Sequence, residues 1–354
     1  MLNFRTCIQY ALVGALVLGL VPGAMAADDY EGKVSGQGDY KFRVLQTRDI
    51  LPEMALKFLE KAHGGFAVDR REGQYETYFA LPGAGIIQIS PDLSSAKMVK
   101  TDRHPRNTNL HNTTIWYGAD GTPYLSFPAN DDSKVYTTDL EGTLLSTLDA
   151  PTDEIDFDEK KVNGYFAKGE RFVPTDVDVL DGLLYVTTGY SALDYVLTAT
   201  VDGAEQPQWN DLAFGGKGRK PGQFGTGHGV TVGPDQKRIN IADRPNAEVD
   251  QFTRYGHYRN TVALPEGAFP CDVDFAGGYM LVGCLHGQNR DLGAPIYLLK
   301  DANVVSTIIP KAELGMERFQ HIHNAVLRVI DGKLYIIAQA WNPGDFVILE
   351  QVTD

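Results

Sequence analysis

The chain has 354 residues, of which 43% are hydrophobic and 22% charged, with 37 glycines, 18 prolines and three cysteines. This composition indicates a folded, loop-rich protein, and three cysteines are too few for a scaffold built on disulfides. The formal net charge of −14 provides no basic surface for nucleic acid or for an anionic membrane, so we expect neither as a partner.

The first 26 residues form a segment of their own. Arg5 precedes an apolar run from Ala11 to Val21, and the small residues Gly23-Ala24-Met25-Ala26 follow it. This pattern is typical of a secretory signal peptide, because the run is shorter than the roughly 20 residues that span a bilayer. We therefore predict a signal peptide at residues 1–26 and a single domain at residues 27–354. The mature protein is expected to be periplasmic or secreted, with no membrane span after cleavage.

A repeated unit fills the rest of the chain: small residues or proline, an anchor residue, a β-run, a Gly-containing turn and a second β-run. Full copies are NLHNTTIWYGADGTPYLSF, VPTDVDVLDGLLYVTTGY, TGHGVTVGPDQKRINIAD, FPCDVDFAGGYMLVGC and HIHNAVLRVIDGKLYIIAQ, and a weaker copy is HGGFAVDRREGQYETYFAL. The anchors lie 64, 53, 43 and 52 residues apart, at His111, Thr175, His228, Cys271 and His323. These separations leave room for two more strands between units, as in a four-stranded propeller blade.

The repeat predicts an all-β fold, a six-bladed β-propeller. Six units of about 55 residues fill the mature chain, within the four to eight blades that close such a ring. The segment DYKFRVLQT is expected to join DFVILEQV in the last blade and so to close the ring. Strand spacing alone also permits a β-sandwich or a solenoid. The segment from Pro52 to Lys61 is the one helix candidate.

The two cysteines that remain after cleavage flank a hairpin whose turn is Gly277-Gly278. Counted outward from this two-residue turn, Cys271 and Cys284 face each other as a non-hydrogen-bonded pair, with Cα atoms about 4.5 Å apart. That spacing suits a disulfide, and disulfides persist in exported proteins. We predict a Cys271–Cys284 disulfide, with two buried free thiols as the alternative.

The anchor residues alternate between histidine and other residue types. Since alternate blades of a six-fold ring are related by a three-fold axis, His111, His228 and His323 should surround one point of the channel. Three neutral imidazoles with an open fourth position are the ligand set of a catalytic zinc, and we predict a zinc site there. Structural histidines near turns are the alternative. His321 shares a strand face with His323 and is the fallback ligand. The remaining histidines are expected at the surface or in loops, namely His63, His104, His257 and His286.

Several motifs also carry a resemblance to known proteins. The stretch FGGKGRKPGQFGTGHGVTVGPDQKRINIADRPNAEVDQF resembles an NHL repeat. Together with PTDVDV, TTGY, the LH pair at 110–111 and the His323 unit, the order of motifs resembles the lyase domain of peptidylglycine α-amidating enzymes, a six-bladed propeller. The resemblance spans about residues 60–345. It implies zinc on the three anchor histidines. It also implies functional roles for Tyr190 in TTGY, for Arg244 in ADRPNAE, and for Arg70, or less readily Arg71, in AVDRREG.

This sequence departs from the family at two places. Asn324 follows the third histidine where the family has Asp, which weakens the inference of the family's calcium ion and leaves calcium as the second cofactor candidate after zinc. The family's cysteine pairs are absent, at Phe172 and Ser191 and within INIADRPNAEVDQF. The Cys271 and Cys284 pair replaces neither of them.

The implied reaction is cleavage of the C–N bond of an N-acyl-α-hydroxyglycine-like carbinolamide to an amide and glyoxylate. The bond breaks once the hydroxyl is deprotonated and the amide nitrogen is protonated, and zinc on the hydroxyl would lower its pKa. Tyr190 could act as the base only if a neighbouring cation lowers the pKa of its phenol. Arg70 is the candidate for that cation, and Arg244 is the candidate clamp for the substrate carboxylate.

Each of these residues also has a structural interpretation. Tyr190 could pack a strand end, Arg244 could pair with Asp243, itself a candidate turn cap, and Arg70 could belong to a solvated charged loop. At the level of function, the substrate is expected in the central channel as a small molecule or a peptide-derived compound. Two alternatives remain open, since a fold does not determine a function: a non-catalytic NHL propeller that binds a protein or glycan, and a zinc-dependent hydrolase or lyase with another substrate.

Overall fold

A computed structural model describes residues 26–353. In this part of the chain, 25 strands form six antiparallel sheets, and the fold is the predicted six-bladed β-propeller. The predicted signal peptide lies outside the described residues apart from Ala26. None of the helices between residues 26 and 353 has the length and apolar character needed to cross a membrane.

Two strands precede the first blade, β1 (Ser35–Gln37) and β2 (Tyr40–Thr47). Blade one contains β3 (Phe66–Val68), β4 (Thr77–Leu81), β5 (Gly85–Ile89) and β6 (Ala96–Met98). Blade two contains β7 (Thr114–Tyr117), β8 (Pro123–Ala129), β9 (Lys134–Thr138) and β10 (Leu144–Asp149). Blade three contains β11 (Asp176–Leu180), β12 (Leu183–Thr187), β13 (Tyr195–Thr200) and β14 (Gln208–Gly215).

The second half of the chain repeats the plan. Blade four contains β15 (Gly227–Val232), β16 (Arg238–Asp243), β17 (Glu248–Thr253) and β18 (Tyr258–Ala263). Blade five contains β19 (Pro270–Ala276), β20 (Tyr279–Cys284), β21 (Ile296–Lys300) and β22 (Asn303–Ile308). Blade six contains β23 (Ile322–Ile330), β24 (Lys333–Ala340) and β25 (Asp345–Gln351).

The two ends of the described chain meet in blade six. Its strand order is β1-β2-β25-β24-β23, and β2 contains most of the segment predicted to close the ring. Phe42 pairs with Gln351 and Thr47 with Val347 across the β2–β25 ladder. The predicted closure is therefore confirmed, and β1 adds an outer fifth strand that the sequence pattern did not indicate.

Helices are short and lie in the connections. In place of one helix from Pro52 to Lys61, the structure has α1 (Glu53–Leu56) and a 3₁₀ turn at Leu59–Lys61. Two further helices, α2 (Arg103–Asn107) and α3 (Lys160–Phe166), were not predicted, because they are too short for an apolar period to become visible. The remaining turns of helix are Ala27–Tyr30, Arg48–Ile50, Arg290–Leu292 and a π-helical turn at Pro310–Leu314.

The hydrophobic core consists of layers between adjacent blades. Between blades one and six, the Phe66 ring lies 4.7 Å from Phe79 and 6.0 Å from Phe346, measured between ring centroids. All three rings are at most 2% exposed. Because each blade is packed on both faces in this way, the first strand of every blade is held rigidly next to the central channel.

The first strands of the six blades contact one another around the axis and begin at the same end of the channel. The anchor residues lie at or just before these beginnings: His228, Cys271 and His323 are the second residues of β15, β19 and β23, and Thr175 directly precedes β11. His111 lies three residues before β7. Toward the other end, the strands line a cavity of about 980 Å³ that includes the carboxylates of Asp176, Asp178, Asp272 and Asp274.

Candidate metal and catalytic site

The structure brings the three anchor histidines together at one end of the channel. The ring centroid of His111 lies 4.8 Å from that of His228 and 4.6 Å from that of His323, and the last two are 5.0 Å apart. All three residues are at most 1% exposed. Side chains separated by 117 and 95 residues along the chain therefore share one buried point on the propeller axis.

Backbone carbonyls of the other two anchors orient two of these rings. Nδ1 of His111 lies 2.6 Å from the carbonyl oxygen of Thr175, and Nδ1 of His228 lies 2.7 Å from that of Cys271. A carbonyl can only accept, so Nδ1 carries the hydrogen and Nε2 keeps its lone pair. Each anchor that is not a histidine thus sets the tautomer of the histidine on the preceding blade.

The free nitrogens of the cluster fit a bound metal. Nε2 of His111 and both ring nitrogens of His323 are buried and have no hydrogen-bond partner among the described residues. Burial is the main cause that holds the pKa of His111, His228 and His323 well below its usual value, and neighbouring imidazoles and Arg244 act in the same direction. Neutral imidazole is the form that binds a metal.

A fourth histidine belongs to the cluster. His63 was expected at the surface or in a loop; it does lie in a loop, before β3, but it is buried at 8% exposed, and its ring lies 4.4 Å from His111 and 4.2 Å from His323. Three ring nitrogens, one from each of His63, His111 and His323, lie within 4.8 Å of one another. Nδ1 of His63 hydrogen-bonds with Asn109 Oδ1 at 3.0 Å, and burial lowers the pKa of His63 to about 4.

The signal for His63 was present in the weak first copy of the repeat, which begins HGGFAV. His63 occupies the anchor position of blade one, but two glycines separate it from β3 and obscure the pattern. The chain needs glycine there, because Gly65 has a φ of +65° and a Cβ would collide with the side chains of Asn112 and Asn324.

The other histidines do not join the cluster. His321, the fallback ligand, directly precedes β23, and its ring lies 6.0 Å from that of Trp341. His286 stacks on Phe269 at 4.5 Å, and His104 and His257 are exposed.

Tyr190 and Arg244 lie next to the histidines. The Tyr190 hydroxyl is 3.2 Å from Nε2 of His228, and Nη1 of Arg244 donates to the same hydroxyl at 2.7 Å. The Tyr190 residue is 41% exposed, whereas Arg244 is only 4% exposed. The tyrosine is therefore accessible from solvent while its hydroxyl joins a buried guanidinium to an imidazole.

Two opposing effects act on the phenol of Tyr190. Burial raises its pKa, the charge and the hydrogen bond of Arg244 lower it, and burial is the larger effect. The phenol is consequently protonated at neutral pH in the protein alone, and it can donate to the lone pair of His228 Nε2. Arg244 supplies the positive charge that any deprotonated form would need.

Arg70 is not part of this arrangement. Its Nη2 atom donates to both carboxylate oxygens of Asp274, at 2.7 and 2.8 Å. Asp274 lies three residues beyond Cys271 in β19, or about 10 Å along the strand at about 3.3 Å per residue. Because β3 carries the chain away from the histidines, Arg70 emerges farther along the channel. This corrects the expectation that Arg70 is the cation beside Tyr190, a position that Arg244 holds. Arg71 pairs with Asp69.

The predicted disulfide is absent, and the two cysteines are free and buried. The expected register holds from Ala276–Tyr279 to Asp272–Gly283, but the next pair is Pro270 with Cys284. Cys271 is thus the extra residue of a β-bulge, which re-aims its side chain. Its sulfur is instead 3.0 Å from Nη2 of Arg244, which donates to it.

Asn324 occupies the position at which the resemblance implied calcium. Its Oδ1 accepts from the backbone N–H of Phe66 at 3.0 Å, and its Nδ2 donates to Asn112 Oδ1 at 3.1 Å and to a carboxylate oxygen of Asp272. The amide N–H of Asn324 thus occupies the Asp272 carboxylate oxygen that a calcium ion would bind. These hydrogen bonds give no support to a calcium site at Asn324.

Comparison with known proteins agrees with the motifs. No protein-family model matches the chain. It is 28% identical over 174 residues to Peptidyl-glycine alpha-amidating monooxygenase A of Xenopus laevis, a match that covers 46% of this chain and 18% of that protein. The chain therefore matches less than a fifth of the length of this relative. The resemblance to amidating enzymes that the motifs indicated is confirmed.

A solved structure shares the fold. The selenomethionine-substituted virginiamycin B lyase from Staphylococcus aureus superposes with a TM-score of 0.51 at 12% identity, covering 88% of this chain and all of that one. A streptogramin B lyase structure matches with a TM-score of 0.49 at 12% identity, over 82% of this chain and 93% of that one. At such low identity the likeness concerns the fold alone.

Proposed function

We propose that this chain is a zinc-dependent lyase that cleaves an N-acyl-α-hydroxyglycine-like carbinolamide into an amide and glyoxylate. The observation that carries the proposal is the hydrogen-bonded series from Arg244 through Tyr190 to His228, placed beside unpartnered imidazole nitrogens. The similarity to an amidating monooxygenase supports the choice of substrate class.

The imidazoles would hold the metal. His111 and His323 offer unpartnered nitrogens, and His63 and His228 lie on either side of them. Nitrogens of His63, His111 and His323 lie within 4.8 Å of one another, so His63 can complete a set of three ligands. His228 is the alternative third ligand, but its Nε2 would first have to release the Tyr190 hydroxyl. Three imidazoles with an open position suit zinc. When bound, zinc supplies the Lewis acidity that lowers the pKa of a hydroxyl group on the substrate.

Tyr190 would move the proton. The reaction converts R-CO-NH-CH(OH)-COO⁻ to R-CO-NH₂ and OHC-COO⁻, so one proton leaves the hydroxyl oxygen and one arrives at the amide nitrogen. With a bound cation and Arg244 both lowering its pKa, the phenol of Tyr190 would be ionised in the loaded enzyme, and its oxygen would then accept the first proton and return it to the nitrogen as the C–N bond breaks. Arg244 would stabilise the phenolate through its Nη1 contact, because a nearby positive charge lowers a phenol pKa.

Arg244 also retains donors for the substrate. Of its five N–H groups, one on Nη1 donates to Tyr190 and one on Nη2 donates to the sulfur of Cys271, and the buried Nε has no partner among the described residues. Nε could therefore donate to the substrate carboxylate and orient the molecule against Tyr190. In a protein with a net charge of −14, this local positive group is what would attract an anionic substrate.

Glyoxylate release tests the proposal. Protein stripped of metal and supplied with an N-acyl-α-hydroxyglycine should release glyoxylate only after zinc is added, and His323→Ala should not respond to zinc. Stoichiometric zinc without glyoxylate would reject the lyase and leave a metal enzyme with another substrate. Failure to bind any metal would favour a non-catalytic propeller. Because of the predicted signal peptide, we place the reaction outside the cytoplasm, which fractionation of expressing cells would test.

A further inference from the structure

Blade four contains a second cluster of ionisable side chains, away from the histidines. Asp243, at the end of β16, and Glu248 and Asp250, in β17, each place an oxygen within 4.8 Å of the others. Asp243 and Asp250 are fully buried, and Glu248 is half-buried. We call these three residues the blade-four carboxylate cluster.

The strand register forces these carboxylates together. Asp243 pairs directly with Glu248 across the β16–β17 ladder. Glu248 and Asp250 are two residues apart in one strand and share a face of the sheet. Like charges directly opposite each other destabilise a sheet. Burial, together with repulsion from the neighbouring carboxylates, raises the pKa of Glu248 to about 7 and that of Asp250 to about 6.

The positive charge near the cluster is already in use. Lys217 lowers the pKa of Asp243, but its ammonium lies 3.3 Å from a carboxylate oxygen of Asp194 and donates to the carbonyl of Gly225. Of the three carboxyl groups, only that of Asp243 has its pKa lowered by Lys217. Buried charges without a partner are unfavourable, so this arrangement calls for a further cation.

The hydrogen bonds of the cluster leave one oxygen without a partner. Asp243 accepts from the backbone N–H groups of Gly225 and Thr226 at 2.9 Å and from Asn246 Nδ2 at 2.6 Å. One oxygen of Asp250 accepts from Thr261 Oγ1. The other, Oδ2, is buried and makes no hydrogen bond among the described residues, although the backbone N–H of Gly222 is near enough to the carboxyl group to lower its pKa. A buried carboxylate oxygen left unpaired is rare in proteins, and a bound cation is one way to satisfy it.

We propose that the blade-four carboxylate cluster binds a hard divalent cation, and that this cation is calcium. Carboxylate oxygens are the ligands that calcium and magnesium prefer, and magnesium usually takes only one or two carboxylates and keeps its waters. Three carboxylates from two strands suit the larger ion, which accepts more oxygen ligands in irregular geometry.

The ion would lie at the base of the turn that carries Arg244. Residues 244–247 form this turn, and the paired residues Asp243 and Glu248 stand at its two ends. Arg244 follows Asp243 directly. A cation that joins the two carboxylates would hold the turn in place and would help to position the guanidinium beside Tyr190. The binding itself is independent of the proposed lyase reaction.

Calorimetry on chelator-treated full-length protein with calcium chloride tests the proposal. We expect one calcium ion per chain in this cluster, with binding at least tenfold weaker in Asp250→Asn and in Glu248→Gln. The double variant Asp153→Asn/Glu154→Gln removes two exposed charges elsewhere and should bind calcium as the unaltered protein does. Calcium should also raise the melting temperature of the unaltered protein and not that of Glu248→Gln.

Three outcomes would overturn the proposal. They are no calcium binding to the unaltered protein, equal binding by both cluster variants, and binding that is lost in Asp272→Asn but kept in the cluster variants, which would place the ion in the channel. Because Glu248 is half-buried, its glutamine variant should fold even if Asp250→Asn does not, and circular dichroism checks this.

Discussion

The guanidinium of Arg244 donates to the hydroxyl of Tyr190 at 2.7 Å, although 54 residues separate them along the chain. The contact joins the turn after β16 in blade four to the loop after β12 in blade three. It places the one buried cation of the site on the group that we propose as the proton carrier.

Tyr190→Phe should abolish most of the lyase activity and leave metal binding intact. The variant keeps the ring but loses the oxygen that would carry the proton, and general acid–base catalysis is worth about 10²–10⁴-fold in rate. Glyoxylate release and zinc content, measured on the same samples, check this. Tyr255→Phe, at a residue 64% exposed, is the control. A rate close to that of the unaltered protein would remove Tyr190 from the mechanism.

Arg244→Lys should lower glyoxylate release by about 10–100-fold, because a lysine cannot reach Tyr190 and Cys271 at once as the planar fork does. The pH–rate profile should also shift, with the limb assigned to the phenol moving to higher pH as the lowering effect of the guanidinium weakens. Arg254→Lys, in an exposed pair with Asp181, controls for a general loss of arginine. An unchanged profile would show that Arg244 acts on the fold alone.

His63→Ala should weaken zinc binding at least about tenfold, because removal of even an outer partner of a metal costs about 10–100-fold in affinity. Competition with a chromogenic chelator measures the affinity, and the visible spectrum of the cobalt form reports a change of ligand set. His228→Ala measured in parallel shows which of the two histidines completes the set. His104→Ala, at an exposed position, should behave as the unaltered protein. Equal affinity in His63→Ala would assign this residue to packing, since its ring stacks on that of Trp341 with centroids 5.5 Å apart.

In protein that lacks residues 1–26, and with them Cys7, two thiols should react with Ellman's reagent after unfolding without reductant, since Cys271 and Cys284 are free. In the folded protein the same thiols should react slowly, because both are buried and burial raises the pKa of each. A sample reduced before unfolding gives the reference value for these two positions. No reaction before reduction would restore the disulfide expected from the hairpin.

Asp178 should make the protein less stable as the pH rises from about 4 to about 7. Burial raises the pKa of this channel carboxyl to about 7, so the folded state holds a proton that the unfolded state has released in that window. The stabilising contribution of Asp178 is complete at a pH below the pKa of this group in the unfolded chain. It is lost as the pH rises through the pKa of the group in the folded protein. The buried histidines have lowered pKa values and therefore make the protein more stable as the pH rises. The effect of Asp178 is therefore measured as the difference in stability between the unaltered protein and Asp178→Asn.

Urea unfolding at pH 5 and at pH 8 should therefore show the unaltered protein losing stability relative to Asp178→Asn. The asparagine cannot titrate, and it also loses one acceptor for the N–H groups of Val179 and Val232 at both pH values. A constant difference between the two proteins would mean that Asp178 is charged in the folded state throughout this range.

The blade plan was predictable because it depends on local alternation. Each unit brings its own β-runs and turn, as in the Asp176–Thr187 hairpin, and neighbouring blades repeat the register. The threefold relation of His111, His228 and His323 followed from counting blades. Short helices such as α3 escaped prediction, since packing against neighbouring strands, rather than propensity, decides whether so few residues form a helix.

The sequence by itself determined the number of blades, the closure of the ring and five of the six anchor positions, because these rest on periodic patterns and on short-range turns. Tertiary structure decided the rest of the site. A bulge at Cys271 turned its sulfur toward Arg244 and away from a disulfide, the length of β3 carried Arg70 away from the histidines, and two glycines let His63 enter the cluster. A displacement of one residue in register or a few ångströms along a strand changes which side chains meet, and no local pattern in the chain records it.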